Sequence, residues 1–273
     1  MTEQGKTYKI KMWQLLVVML VIVISSVIGF LYFNSPSTGK YASIGNGWNY
    51  IKGNAPVLNG GALQVDFVGI ESCEFCAIER YALFYALSNF GNWTYYGVPV
   101  TLSSLPALNA TYSSAPQNDA LFYKASEGDW TMNFLNPNLK YSSNKVDFIT
   151  RETANNQGQP LQQMTTYESQ YLNNYDPLGY VPFSIVGGNF FETGAGISLT
   201  RGGVPIIFAQ NGSGMSPEQI LSAFNLSGSE INVGITTEAN YITAEICYNI
   251  NDSAPICSAS AIKSIENNIK SAS

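Results

Sequence analysis

Two cysteines three positions apart constrain this sequence more than any other feature. Cys73 and Cys76 follow an apolar run, residues 63–70, and precede a helical pattern of apolar residues over 77–90. The pattern predicts a buried strand, a short turn and a helix whose first turn holds both thiols. A thiol at a helix N-terminus faces unpaired N–H groups and the positive end of the helix dipole, and both stabilise its thiolate.

A strand that ends in Cys-x-x-Cys and continues as a helix is the active-site layout of thioredoxin-like redox proteins. In this interpretation Cys73 is the exposed nucleophile, and Cys76 is the resolving thiol that attacks the mixed disulfide formed by Cys73. Two other interpretations stay open: a permanent local disulfide, and half of a zinc site completed by Cys247 and Cys257. The nine residues between the second pair are too many for a usual zinc knuckle.

The composition excludes several kinds of chemistry. The 273 residues include no histidine, so neither a Ser-His-Asp triad nor a His-ligated metal site can be built. The formal net charge is -6 and no basic cluster lies beyond the N-terminus, which argues against nucleic-acid binding. We predict no cofactor and no metal, with cysteine as the reactive group.

The N-terminus has the composition of a membrane anchor. Residues 12–33 are 22 positions without a charge, mostly Leu, Val and Ile. As a helix they would span about 33 Å, enough to cross a bilayer core. Lysines in residues 1–11 predict a cytoplasmic tail, with the rest of the chain outside. We predict an uncleaved, single-pass anchor in the cell membrane; a cleaved signal peptide is the alternative.

The remaining chain is interpreted as a stalk followed by one domain. Gly, Ser, Asn and Pro are frequent in residues 34–60, which predicts a juxtamembrane stalk that leads into a short first element near Trp48 to Ile51. The extracytoplasmic domain would comprise residues 61–273, with an insertion at about 103–160 that shapes substrate access. The expected fold class is α/β and thioredoxin-like, a central mixed sheet flanked by helices, preceded by one transmembrane helix.

A proline is expected opposite the cysteines. Pro182, after Val181, opens a short strand that a Gly-Gly hairpin joins to a second strand. Thioredoxin-like folds place a cis-proline at this point, and the backbone before it pairs with an extended substrate peptide. Val204-Pro205 is the rival, and the Gly-Gly hairpin favours Pro182.

Three carboxylates are candidates for proton transfer or for tuning the thiols: Asp66, Glu74 and Glu79. Asp66 lies in the strand before the cysteines, where thioredoxins bury a proton-transferring carboxylate. Glu71, Glu74 and Glu79 bring negative charge near Cys73, which should raise its pKa and partly cancel the effect of the helix. A milder oxidant than enzymes with His or Pro between the cysteines is therefore expected. Asp66 and Glu79 are equally compatible with ordinary strand-edge or helix-surface positions.

The remaining candidate sites lie outside the Cys-x-x-Cys motif. Cys247 and Cys257 close a short polar loop, which predicts a structural disulfide worth about 2–4 kcal/mol. A second redox pair is the alternative, although the two-residue spacing is missing. Five Asn-x-Ser/Thr sequons follow the membrane segment and are candidates for glycosylation: Asn92, Asn109, Asn211, Asn225 and Asn251.

Four stretches of the chain together resemble an uncharacterised archaeal family of membrane-anchored, thioredoxin-like proteins. They are the helix start Cys73-Glu74-Phe75-Cys76-Ala77-Ile78-Glu79-Arg80, residues 141–148, the Val181-Pro182-Phe183 strand with its glycine hairpin, and residues 239–247 with Cys257. The resemblance covers about residues 60–258 in the same order. Glu74 departs from it, because the family tends to have proline there. The resemblance implies a thioredoxin-like fold and a thiol–disulfide role.

These observations lead to two functional hypotheses. The first is a membrane-anchored, extracytoplasmic thiol–disulfide oxidoreductase that acts through Cys73 and Cys76 on disulfides of exported proteins. Its partners would be exported substrates with thiols or disulfides, and a redox partner in the membrane. The second is a non-catalytic extracellular binding or envelope protein on the same fold, with two structural disulfides.

Overall fold

The computed structural model describes residues 40–111, 120–124, 130–155, 157–208 and 214–273. One folded unit runs from Tyr41 to Ser273. The predicted cytoplasmic tail (1–11) and transmembrane anchor (12–33) lie outside the described residues. Within the described part of the chain, no helix has the length and apolar character needed to span a membrane.

The described residues form a mixed α/β structure. The strands are β1 (Tyr41–Gly45), β2 (Trp48–Ile51), β3 (Leu58–Asn59), β4 (Ala62–Gly69), β5 (Asn92–Tyr95), β6 (Val98–Val100), β7 (Phe122–Lys124), β8 (Trp130–Met132), β9 (Leu139–Ser142), β10 (Val146–Glu152), β11 (Phe183–Val186), β12 (Phe190–Thr193), β13 (Thr200–Arg201) and β14 (Val204–Pro205). The helices are α1 (Glu74–Leu87), α2 (Leu105–Thr111), α3 (Thr166–Tyr175), α4 (Pro217–Asn225), α5 (Glu230–Asn249) and α6 (Ser260–Ala272).

The main sheet has the strand order β1-β2-β12-β11-β4-β10, with β3 also paired to β4. Strand β10 runs parallel to β4, whereas β11 and β12 run antiparallel to their neighbours. In the β4–β10 pair Gly69 lies opposite Glu152, so both strands end at the same edge of the sheet. The loop that carries the cysteines leaves the sheet at that edge.

Helices cover both faces of this sheet. Leu63, Val65 and Phe67 of β4 belong to the large core that also contains residues of α1 and α5. Val68 faces the other way and packs with residues of β2, β11 and β12 in a second, smaller core. Tyrosines of α3 cover that second core. Alternation along β4 therefore decides which side chains can approach α1.

Helix α1 is the most enclosed of the described helices. Residues 76–84 are all buried, because the helix packs against the sheet on one side and against α5 and β8 on others. A helix buried on most of its sides must be apolar nearly all round, which its sequence is. The charged exceptions, Glu79 and Arg80, are fully buried, and each needs a physical explanation.

The predicted stalk is too long. Residues 41–51 form the β1–β2 hairpin, and Trp48, the first residue of β2, is fully buried. The hairpin turn is made by Gly45, Asn46 and Gly47, which lie within the predicted stalk and all have positive φ. The folded domain thus begins about twenty residues before the predicted boundary at 61.

The predicted insertion at 103–160 is also too broad. It includes β9, which pairs with β5, and β10, which pairs with β4 along seven residues in the main sheet. The β7–β8 hairpin and helix α2 lie off that sheet. The apolar pattern at 145–150 does indicate a core strand, which β10 confirms, but a local pattern does not show which strands join the main sheet and so could not set the limits of the insertion.

Candidate functional site

Cys73 is the N-cap residue of α1. Its backbone is extended (φ -84°, ψ 118°), and its Sγ accepts a hydrogen bond from the backbone N–H of Cys76 at 3.2 Å. The Cys73 carbonyl accepts from Ala77 N at 3.0 Å and so begins the helix. A sulfur therefore occupies the position at which Ser or Asp usually caps a helix, and it faces the free N–H groups of the first turn.

Both thiols are free, and their environments differ. Cys73 is half-buried, whereas Cys76 is fully buried. A hydrogen bond from the Cys76 thiol, followed by the backbone N–H of Cys76 and the charge of Arg80, lowers the pKa of Cys73 against the opposing effect of burial. Burial, together with the neighbouring Cys73, raises the pKa of Cys76 well above its usual value. The arrangement gives one partly accessible thiol whose thiolate form is favoured, and one enclosed thiol whose protonated form is favoured.

The glutamates have less influence on Cys73 than the sequence suggested. Glu74 raises the pKa of Cys73, but more weakly than each of the other groups that act on this thiol. Glu79, one turn further along α1, is fully buried and lies with Glu192 and Glu238 instead. The pKa of Cys73 is lowered overall, because the hydrogen bonds from the Cys76 thiol and backbone N–H, together with the charge of Arg80, outweigh burial and the weak effect of Glu74.

A cis peptide bond faces the thiols. Val181–Pro182 is cis, and it is the one cis bond among the residues that the structure describes. The Cys73 thiol donates to the Val181 carbonyl with a sulfur–oxygen distance of 3.6 Å. Pro182 is buried, immediately precedes β11, and its own carbonyl accepts from Gly194 N at 2.8 Å. The rival Pro205 lies in the β13–β14 hairpin.

Arg80 connects this loop to the sheet, a contact that sequence reasoning missed. Its guanidinium forms a buried salt bridge with Glu152 (Nη2–Oε1 2.6 Å, Nε–Oε1 2.9 Å) and also contacts Thr131. Nη2 donates to the Ile70 carbonyl at 3.2 Å, and the Cys73 N–H donates to the same oxygen. Arg80 thus fixes the turn before Cys73 and brings a positive charge near both thiols. The signal in the sequence was a lone arginine in an apolar helix.

Asp66 does not lie with the thiols. Its carboxylate accepts from Gln64 Nε2 at 2.9 and 3.0 Å, and burial raises its pKa to about 7. Asp66, Gln64 and Val68 share the face of β4 that packs against α3, opposite to the face that meets α1. The structure therefore separates Asp66 from the dithiol, and the sheet lies between them.

Cys247 and Cys257 form a disulfide that links the end of α5 to the short turn Pro255–Ser258. Both cysteines are buried. Their bond leaves neither sulfur available to complete a zinc site with Cys73 and Cys76. A role as a second redox pair stays a prediction.

The asparagines of the five sequons lie in different elements of the fold. Asn92, Asn225 and Asn251 are exposed, at the start of β5, the end of α4 and the loop after α5. Asn109 lies in helix α2, and Asn211 lies outside the described residues. Glycosylation of these residues stays a prediction.

The thiol environments predict a pH profile for alkylation of the reduced protein. Because the pKa of Cys73 is lowered, its thiolate fraction should rise at lower pH than that of an ordinary cysteine. We expect the rate of iodoacetamide labelling at Cys73 to have a midpoint below about 8.5, the usual cysteine value. Cys76 should label far more slowly, because it is enclosed and its pKa is raised.

Peptide mapping after timed labelling separates the two sites. Glu74→Gln should shift the Cys73 midpoint slightly further down, because it removes a charge that disfavours the thiolate. A midpoint at or above that of a free cysteine, or faster labelling of Cys76, would contradict the assignment.

Fold and site together define a mixed α/β protein with two free cysteines at a helix start that faces a cis proline. The chain belongs to the family described as Domain of unknown function (DUF929), which matches residues 49–248. The matched segment includes β2 to α5 and therefore both free cysteines and the cis proline. No curated protein and no solved structure matches the chain.

Proposed function

We propose that the protein is a thiol–disulfide oxidoreductase with a thioredoxin-like fold. The observation that carries the proposal is the contact between Cys73 Sγ and the carbonyl before the cis proline, 3.6 Å away. This contact places Cys73, whose thiolate form is favoured, beside the backbone of Val181, which can pair with an extended peptide. A buried thiol, Cys76, follows within the same helical turn.

The strand order supports the fold assignment. Strands β10-β4-β11-β12 form a four-stranded core in which the first two are parallel and the last two antiparallel. Helix α1 follows β4, α3 precedes β11, and α5 follows β12 in the chain. This βαβ…αββα order, with the cysteines after the first core strand, is the arrangement that the thioredoxin-like interpretation requires.

The chemistry is a balanced exchange of two electrons. The Cys73 thiolate attacks a substrate disulfide, forms a bond to one substrate sulfur and releases the other as a thiolate. Cys76, after losing its proton, then attacks Cys73 Sγ and releases the second substrate sulfur as a thiol. The substrate disulfide is thereby reduced and Cys73–Cys76 becomes oxidised. The reverse sequence forms a substrate disulfide, and an external thiol or disulfide partner must restore the starting state.

Exposed apolar side chains beside the site favour a polypeptide substrate. Leu178 and Tyr180, just before the cis bond, have 72% and 59% of their surface exposed. An extended peptide on the Val181 backbone would contact them, which suits unfolded exported proteins. The apolar stretch 12–33 supports a membrane-anchored, extracytoplasmic location, and the Cys247–Cys257 disulfide fits an oxidising compartment.

Trapping of a mixed disulfide tests the proposal. In Cys76→Ser the resolving thiol is missing, so Cys73 should attack disulfide-containing proteins and accumulate mixed disulfides with them, which dithiothreitol releases. The control is Cys73→Ser/Cys76→Ser, which should form no adducts although the buried Cys247–Cys257 pair is unchanged. Adducts absent from Cys76→Ser, with wild-type protein unable to reduce or form disulfides in a model polypeptide, would favour the non-catalytic binding protein.

A further inference from the structure

Four glutamates meet in the interior, away from the dithiol. Glu79 of α1, Glu192 of β12, and Glu238 and Glu245 of α5 are all completely buried. Carboxylate oxygens of Glu79, Glu192 and Glu238 lie within 4.8 Å of one another. Glu245 is close enough that the charges of Glu238 and Glu79 raise its pKa. We call these four residues the carboxylate cluster.

Within the described residues the cluster has few partners. Glu238 accepts from Trp48 Nε1 at 2.6 Å and from Asn46 Nδ2. Both oxygens of Glu79, of Glu192 and of Glu245 lack a partner in hydrogen-bonding geometry. The polar groups that act on Glu79 and Glu192 are the Gly196 amide and the Glu238 carboxyl. None of the salt bridges among the described residues includes a member of the cluster.

Such a cluster cannot stay ionised without compensation. An unpaired buried carboxylate costs several kcal/mol, and like charges at this distance add to the cost. Burial raises the pKa of each member, that of Glu238 to about 8, and the charge of Glu238 adds to the rise for Glu79, Glu192 and Glu245. Either protons or a cation must supply the missing positive charge.

Protons alone do not satisfy the geometry. A protonated carboxyl donates one hydrogen bond, which can join Glu192 to Glu238, but both oxygens of Glu245 still lack a hydrogen-bond partner among the described residues. A cation bound between the carboxylates would satisfy several unpaired oxygens at once. Carboxylate oxygen without nitrogen or sulfur is the ligand set of a hard cation such as Ca²⁺ or Mg²⁺.

Burial favours calcium over magnesium. Ca²⁺ takes about 6–8 oxygen ligands in flexible geometry, whereas Mg²⁺ demands a near-ideal octahedron and usually keeps several waters. Glu79, Glu192 and Glu238 are completely buried, and their oxygens, within 4.8 Å of one another, suit direct ligation by carboxylates without a water shell.

Two glycines bring the backbone close to the carboxylate cluster. A Cβ atom at Gly47 would overlap Glu192 Oε1, and one at Gly196 would overlap Glu238 Oε2. Two turns thus approach the carboxylates as closely as bare backbone allows. We propose that Glu79, Glu192 and Glu238, with Glu245 beside them, bind one Ca²⁺ ion that joins α1, β12 and α5.

Calcium titration of the full chain tests the proposal. Protein stripped with EDTA should bind one Ca²⁺ per chain in a calorimetric titration, more tightly than Mg²⁺, and its melting temperature should rise. Glu79→Gln and Glu192→Gln should each weaken calcium binding by more than about 100-fold, since even outer-shell changes cost 10–100-fold. Glu218→Gln, the same change at an exposed position of α4, should leave binding unchanged.

Hydrogen exchange of the wild type locates the ion even where a variant fails to fold. Calcium should slow exchange together in α1, β12 and α5. No binding at millimolar Ca²⁺, Mg²⁺ or Mn²⁺ would overturn the proposal. So would full binding by Glu79→Gln/Glu192→Gln, or protection confined to the exposed acidic residues near Asp252. The proposal does not depend on the dithiol, and Cys73→Ser should bind calcium as the wild type does.

Discussion

Cys73→Ser is expected to abolish thiol–disulfide exchange and leave the fold intact. The serine hydroxyl does not ionise at neutral pH, and only a thiolate can form the mixed disulfide. The reduction of a disulfide-containing model polypeptide, followed with a limiting amount of reductant, should therefore fall to the rate without enzyme.

The stability of the same variant separates chemistry from structure. Cys73 caps α1 through its side chain, and serine is among the preferred capping residues. The free energy of unfolding should consequently change by less than about 1 kcal/mol, as for most substitutions without a packing defect. Cys76→Ser is the matched comparison: it buries a hydroxyl in an apolar core and should be the less stable of the two. Activity retained in Cys73→Ser would refute the proposed function.

Arg80→Met is expected to cause the largest loss of stability. It removes the cation from a fully buried salt bridge and leaves Glu152 without its partner. Removal of one member of such a pair typically costs about 3–5 kcal/mol. For a folded unit of this size the melting temperature should fall by about 10 °C. Differential scanning calorimetry of the reduced protein measures both quantities.

Two further variants identify the cause. Arg80→Met/Glu152→Met removes both charges and should recover much of the lost stability, because replacing a whole buried pair by apolar groups is often neutral. Arg80→Lys keeps the charge but not the forked geometry, so it should be intermediate. Arg80→Met should also raise the pKa of Cys73, since the guanidinium charge lowers it. A loss below about 1 kcal/mol would show that the pair contributes little to the fold.

Local sequence patterns predicted many elements correctly. The Gly-Gly hairpin between β11 and β12 and the helix that begins at the Cys-x-x-Cys motif are both present. The residues Ser216, Pro217 and Gln219 have the spacing of a capping box with a proline at the first helical position, and the structure has both at the start of α4. These features depend on residues close together in the chain, so their physical causes are visible in a short window.

Contacts between distant segments could not be predicted in this way. Arg80 and Glu152 are separated by 72 positions, and no periodicity joins them. Glu79 is a candidate for tuning the thiols in the sequence, and its contact with Glu238 has no local signal, since burial of a charged side chain depends on the neighbours that the fold supplies. Asp66 was associated with the cysteines because it precedes them, although the two-residue period of β4 turns it to the other face.

The enclosure of α1 changes how related sequences should be compared. From Cys76 to Phe84 every side chain is buried, so packing alone restricts which residues each position accepts. Invariance across that stretch would arise even in relatives without redox activity. Positions 71–75, which are half-exposed, escape this restriction. If the proposed function is right, natural variation there, above all at Cys73 and Glu74, should follow thiol reactivity and not packing.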